Sequence, residues 1–346
     1  MTINQPPSLG REDLAALAEA YGLGKLAPGS GPIPGWGTRR YRLQTNKGHY
    51  EVRLRPPDEA YEVLRREIEL LGFLEKHDFA SPRVVPDPNG RPYAEYDGWL
   101  LVVLRVPAGE YLTEKDLTLR QIHSTGRLLG TLHTVGRAYK KTIENRFGFD
   151  RIFEMYATVR RRLPPYFKKL IRTLDEETEY LGNYLETKLP KGVIHGNVHL
   201  WCLLFKGDRV VSLGDFDAAC RGKYVYDLAT AVNALCFCDG SYSLERFEAL
   251  LAGYESLRTL SLAEWDSFPN ELRFAALRFA VTRLSEFFET RGEEAQRINK
   301  EFGSYFERLQ VLRREKEGGM EGLLMAMATG YDYRKYQRIK SDRESD

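Results

Sequence analysis

His195-Gly196-Asn197-Val198-His199-Leu200-Trp201-Cys202 places two imidazoles, a carboxamide and a thiol in one short loop, and Gly214-Asp215-Phe216-Asp217 follows a little downstream. Imidazoles move protons near neutral pH. A pair of carboxylates can hold a hard cation such as Mg²⁺ through oxygen. The Cys202 sulfur is a soft ligand, better suited to Zn or Cu(I). The amide of Asn197 takes up no proton near neutrality, so it cannot act as a base. Cys202 with His195 or His199 would make a thiol nucleophile, but nothing in the sequence marks an oxyanion hole or a group to orient the base.

The segments around this loop must position it. An apolar run, Gly192-Val193-Ile194, precedes it and Leu203-Leu204-Phe205 follows it. A turn at Lys206-Gly207-Asp208 and a strand from Arg209 to Leu213 then lead into Asp215. Tyr224-Val225-Tyr226-Asp227-Leu228-Ala229 reads as a helix start, with Asp227 expected to cap the helix and brace the loop. Upstream, residues 9–27 carry a short helix. Arg40–Thr45 and Tyr50–Arg55 alternate across an Asn46-Lys47-Gly48 turn, the pattern of a hairpin. Glu62–His77 is amphipathic, with Leu64, Ile68, Leu71 and Leu74 on one face. Trp99–Leu104 reads as a buried strand. Leu117–Tyr139 is helical and contains His133, expected as a packed structural histidine. Further helices are expected over 150–190, where Arg160-Arg161-Arg162 suggests a solvated basic face. Four or more should follow Asp227, marked by Leu244, Phe247, Leu251 and Tyr254 and by the run Leu272–Phe288.

The loop and the strand–Asp segment together resemble the catalytic and metal loops of the aminoglycoside phosphotransferase and choline kinase group, small-molecule kinases with a protein-kinase-like fold. That group writes the loop H-G-D-x-x-x-x-N. Here Asn197 stands at the Asp position and Cys202 at the Asn position. The resemblance implies an α+β, two-lobe fold: an N-lobe of antiparallel strands with one long helix, and a mainly helical C-lobe. It also implies roles. Asn197 would stand where the base stands, flanked by His195 and His199. Only in an active kinase would His199 act as a substitute base, and relatives often carry His there beside an intact Asp. Asp215 would be the surviving metal ligand, with Asp217 as a second carboxylate and Cys202 at the metal-binding Asn position. Arg53 would touch the nucleotide phosphates, paired with Glu67. The backbone of Leu104 to Val106 would meet the adenine edge, as the start of a hinge running to Glu110. Gly35-x-Gly37 would cover the phosphates, and Glu51 would sit in the ceiling over adenine, where a carboxylate crowds the base. Within the group, the run from hinge to C-terminus is similar to the bacterial spore-coat (CotS-like) branch.

These roles predict lobes at 1–104 and 105–330 with a charged tail at 331–346. They predict a kinase homologue with impaired transfer and a binding or structural role. The alternative is an active ATP-dependent phosphotransferase acting on a small-molecule hydroxyl, with ATP and Mg²⁺ as cofactors. Lys+Arg 51 against Asp+Glu 49 gives no reason to expect nucleic acid or an anionic membrane as partner. No apolar run approaches the ~20 residues of a membrane span. The N-terminus lacks signal-peptide order. The four cysteines show no disulfide spacing; Cys236 and Cys238 are read as buried thiols in a helix-like segment. These features together suggest a reducing cytoplasm. The acceptor, oligomeric state and any protein partner are left open.

Overall fold

The computed structural model describes residues 7–33, 39–290 and 292–314. The chain forms two compact units, Met1–Thr113 with Trp201–Asp217, and Glu114–Leu200 with Ala218–Asp346. Both the Gly35-x-Gly37 segment and the tail from Tyr331 lie outside the described residues.

The first unit is built on an antiparallel sheet. Its strands are β1 (Gly31–Ile33), β2 (Arg39–Thr45), β3 (Gly48–Arg55), β4 (Arg83–Val85), β5 (Ala94–Tyr96) and β6 (Trp99–Val106). The order is β1-β2-β3-β6-β4, with β5 also on β6. Side chains alternate between the faces of a strand, and β3 separates two chemistries on that basis. Tyr50, Val52 and Leu54 join Tyr41, Leu43, Trp99, Leu101 and Val103 in an apolar core, covered by Leu14 and Ala18 of α1 (Arg11–Ala20). Glu51, Arg53 and Arg55 occupy the opposite face and are buried as well. Helix α2 (Pro57–Lys76) starts earlier than the apolar spacing alone predicts, because a proline opens its first turn. The segment 201–217 returns to this unit as the hairpin β8 (Leu203–Lys206) and β9 (Arg209–Leu213), after β7 (Lys191–Ile194) of the second unit.

The second unit is mainly helical: α3 (Leu119–Val135), α4 (Phe149–Arg160), α5 (Lys168–Tyr184), α6 (Tyr224–Leu235), α7 (Leu244–Glu255), α8 (Leu262–Glu289) and α9 (Gly292–Arg313). Three helices therefore follow α6 among the described residues, rather than four or more. One of them, α8, runs through Pro269 without ending and starts ten residues before Leu272, at a Ser261–Glu264 capping box. Helices α3 and α7 cross closely: a Cβ on Gly126 would meet the Leu250 carbonyl at 1.9 Å, and one on Gly253 the His123 carbonyl at 2.0 Å. The strand β7 pairs with β10 (Cys220–Lys223). Cys236 is buried, but the chain leaves the helix at Leu235, and Cys238 is half-buried in a short hairpin strand rather than a helix. Arg160 pairs with Asp175 and Arg162 with Glu289 on exposed surface. No helix among the described residues is long and apolar enough to cross a membrane.

Candidate functional site

In the first unit the charged face of β3 organises everything. Register places Arg40 of β2 directly opposite Arg53 of β3, and like charges so placed repel. The repulsion is met by two carboxylates. Glu51 Oε2 accepts from Arg40 Nη2 and from Arg53 Nη2, both at 3.1 Å. Asp215 accepts from Arg40 Nη1 at Oδ2 and from Arg53 Nη1 at Oδ1, both at 2.8 Å. The result is a closed ring of alternating charge, Arg40–Glu51–Arg53–Asp215. Helix α2 adds Glu67, which binds Arg55 Nη2 at 2.7 Å and Arg53 Nη1 at 3.5 Å and also accepts the Phe216 amide at 3.1 Å. The expected Arg53–Glu67 pair is therefore present, though it is the longest contact in the cluster. Tyr111 donates its hydroxyl to Glu51.

Electrostatics follow from this packing. Burial alone would raise the Glu51 carboxyl, but Arg40 and Arg53, with the Tyr111 hydroxyl, hold it below the usual range. Burial would weaken the Arg40 charge, yet Asp215 and Glu51 keep it firmly protonated. Burial and Glu51 push the Tyr111 phenol far above its ordinary value, so it stays a donor. Asp215 adopts φ +62, the left-handed region that aspartate tolerates better than most residues. Cys202 is buried, and its Sγ lies 4.0 Å from Asp215 Oδ2. The strand β6 continues through Val106, and Leu104 is flanked by Glu51 of β3 and Val84 of β4. Its backbone groups lie inside the ladder and cannot serve as a hinge edge. Val106, flanked only by His49, stands at the strand end.

In the second unit the loop is held from below by Asp227. This residue lies inside the first turn of α6, four positions beyond the N-cap Lys223, which makes no side-chain bond. Asp227 instead accepts the backbone amides of His195 at 2.8 Å and Gly196 at 2.7 Å, and His133 Nε2 at 3.0 Å. His133 Nδ1 in turn meets the Tyr254 hydroxyl at 2.7 Å. Burial would raise the Asp227 carboxyl; the His133 hydrogen bond and the neighbouring imidazoles and amides hold it low. Burial also lowers His133, so the ring is the neutral, packed histidine expected. Gly196 has φ +72, and a Cβ there would meet the Ala218 carbonyl at 2.8 Å, so only glycine fits.

Asn197, half-buried, accepts at Oδ1 from Arg278 Nη1 of α8 at 3.4 Å, and its amide donates to His195 Nδ1 at 3.3 Å. His199 does not serve as a replacement base. It is buried against Phe279, with ring centroids 4.7 Å apart, and shares a hydrogen bond with the Tyr305 hydroxyl at 3.1 Å. Burial, then Arg283, Arg278 and Arg308, push it well below the usual histidine range. A core imidazole so placed is a poor proton acceptor.

The frame is that of a known group. A model of the phosphotransferase enzyme family matches residues 31–260. The chain belongs to this family. It is 30% identical over 286 residues to a homoserine kinase of Caulobacter sp. strain K31, covering 81% of this chain and 87% of that one. A homoserine kinase of Parvibaculum lavamentivorans is 31% identical over 280 residues, with 79% and 85% covered. Among solved structures, the fold matches an amicoumacin kinase in complex with AMP-PNP, Ca²⁺ and Ami, at a TM-score of 0.65 and 15% identity over 86% of this chain and 92% of that one. It also matches a choline/ethanolamine kinase family protein from Mesorhizobium loti, at a TM-score of 0.60 and 17% identity over 88% and 95%. Kinase-like architecture, with an antiparallel sheet in one part and helices in the other, is the fold of this family member.

The family's metal does not fit Asp215 as its neighbours engage it. Mg²⁺ needs near-octahedral oxygen ligands at about 2.0–2.1 Å. Both Asp215 oxygens are already turned to guanidinium groups, which repel a cation, and the nearby Cys202 offers sulfur. Asp217 adds a carboxylate in the following turn. From the sequence, Arg40 and Arg55 are strand residues without a site role, and Tyr111 has none either. The signal for Arg40 was the hairpin register, which places it opposite Arg53; for Arg55 it was strand alternation.

Proposed function

We propose that this chain is a small-molecule phosphotransferase homologue in which nucleotide-dependent transfer is impaired, while recognition of a small hydroxylated amino compound persists. The observation that carries this reading is the closed Arg40–Glu51–Arg53–Asp215 ring. In the family template a cation touches phosphates, an aspartate holds metal, and the base above them is met by an uncharged ceiling. Here those positions satisfy one another. Admitting a triphosphate would break pairs that are almost fully buried, and breaking such a pair is costly (~3–5 kcal/mol). The amide of Asn197 adds a second handicap, since a positioned base is worth about 10²–10⁴-fold in rate.

A second reading, an active ATP-dependent kinase for a small-molecule hydroxyl, draws support from the names of the relatives, which are homoserine kinases at about 30% identity over four fifths of the chain. Phosphoryl transfer leans on positioning and electrostatics more than on a base, so Asn197 alone does not rule it out. No feature of either unit supports the spore-coat role. Calorimetry of ATP binding with and without Mg²⁺ separates the two. The impaired reading expects no Mg²⁺-dependent heat at millimolar ATP. Mg²⁺-dependent binding with turnover in the presence of L-homoserine would establish the active one.

A further inference from the structure

Arg278 is the least compensated charge in the second unit. It projects from α8, is 3% exposed, and has no carboxylate within 4.0 Å among the described residues. Its Nε is buried without a partner, and its one side-chain hydrogen bond is the long contact to Asn197 Oδ1. Its Cζ lies over the Phe147 and Phe279 rings, 4.1 and 3.9 Å from their centroids. Of the other buried arginines of this unit, Arg258 has Glu264 at 2.7 Å and Arg283 has Glu286 at 2.7 Å. Arg308 has no carboxylate among the described residues but donates to the Asn233 and Ser304 carbonyls at 2.7 and 3.0 Å. Burial accordingly pulls the Arg278 guanidinium below its ordinary range, and Arg283 adds to the effect.

A guanidinium packed on aromatic rings keeps its N–H fork in its own plane, the geometry that matches a carboxylate in two parallel hydrogen bonds. The contact to Asn197 is only partly buried, so the fork lies at the loop. Asn197 stands where the family writes aspartate. With aspartate there, Arg278 would have a counter-charge within its own unit; with asparagine the site is one positive charge richer. We infer that Arg278, freed of that counter-charge by Asn197, receives the carboxylate of a small hydroxylated amino acid. This deepens the proposed function and rests on its claim that ligand recognition persists. It does not rest on the loss of transfer.

The test is calorimetry with L-homoserine and with 2-amino-1,4-butanediol, which keeps the amine and both carbon–oxygen ends but has no carboxylate. Wild-type protein is expected to bind L-homoserine more tightly than the diol by roughly 10–100-fold, the worth of hydrogen bonds to a charged group. Arg278→Met should erase that preference, bringing L-homoserine down to the diol's level, while leaving the melting temperature unchanged or higher, because it removes an unpaired buried charge. Asn197→Asp should act in the same direction by a different route: it supplies the counter-charge, raises the melting temperature and weakens L-homoserine but not the diol. Equal binding of the two ligands by wild type, no binding of either, or a preference that survives both substitutions would overturn the inference. Should Arg278→Met fail to fold, the wild-type preference and Asn197→Asp decide the matter. None of these titrations contains a phosphate donor, so ATP turnover by the wild type would sink the impaired-transfer reading and leave this one standing.

Discussion

The two units treat their share of the family's site differently. In the second, the loop is built from backbone: Asp227 takes two amides and one imidazole, and Gly196 holds the only conformation that clears the Ala218 carbonyl. None of those interactions depends on what side chain stands at position 197. In the first, the corresponding chemistry is all side chain, and Arg40, Glu51, Arg53 and Asp215 have turned on one another. A frame made of main-chain hydrogen bonds survives exchange of the residues it displays. A cluster made of charges does not stay neutral to exchange, because each new charge recruits another.

The strongest way to break this comparison is to undo the exchanges. Wild-type protein should show no Mg²⁺-dependent ATP turnover in an ADP-release assay. Arg40→Val with Glu51→Ala opens the ring, leaving Arg53 to Asp215 and Glu67. Adding Asn197→Asp and Cys202→Asn returns the base and an oxygen ligand. The fourfold variant should gain on the order of 10²–10⁴-fold over the opened ring alone. Each single reversion should give far less, since base and metal ligand act as a unit. Turnover by wild type at the rate of the fourfold variant would mean that the ring is no barrier and that the two units differ only in appearance.

The frame should be just as sensitive in stability. Asp227→Ala leaves the His195 and Gly196 amides and His133 Nε2 buried without their shared acceptor, a loss of about 3–5 kcal/mol expected as a large fall in the urea midpoint. Asp227→Asn keeps an oxygen for one amide and should fall between. If Asp227→Ala moved the midpoint by less than a typical surface change, the backbone frame would not be what holds the loop.

Much of the frame was legible in the sequence because it is local. The loop, the strand into Asp215 and the helix carrying Asp227 are set by apolar runs, a turn and a helix start, all readable from spacing. Even so, Asp227 was placed as a cap, since periodicity fixes a helix and not its first residue. Three of the ring's four members were legible: Glu51, Arg53 and Asp215 came from the family pattern. Arg40 did not, because its role depends on cross-strand register, which decides which charges face each other. His199 was misread for a related reason. Its position in the loop fits a base, but its burial is set by Tyr305 of α9 and Phe279 of α8, far along the chain. A motif does not record what packs over it.

That misreading supplies the mildest test. Burial and three arginines lower the His199 pKa in the folded protein, so the native state resists a proton that the unfolded chain accepts near the ordinary value of about 6.5. Between those two values the unfolded state binds more protons, and stability falls as pH drops. Above about 6.5 both states are neutral and the penalty vanishes. The His199 contribution to the wild-type urea midpoint should therefore be flat from pH 8 to 7 and decline below about 6.5, with a slope of at most about 1.4 kcal/mol per pH unit. Glu271 and Glu301, which burial pushes up to about 7, titrate in the opposite sense. His133 is also lowered and titrates in the same sense, but its hydrogen bond to Asp227 favours the charged form and softens its share. His199→Gln keeps a partner for the Tyr305 hydroxyl and removes the titration. Below about pH 6.5 it should lose less stability than wild type, and above that the two should run parallel. A variant as steep as wild type would put His199 back at the surface of the loop, where a proton acceptor would have to be.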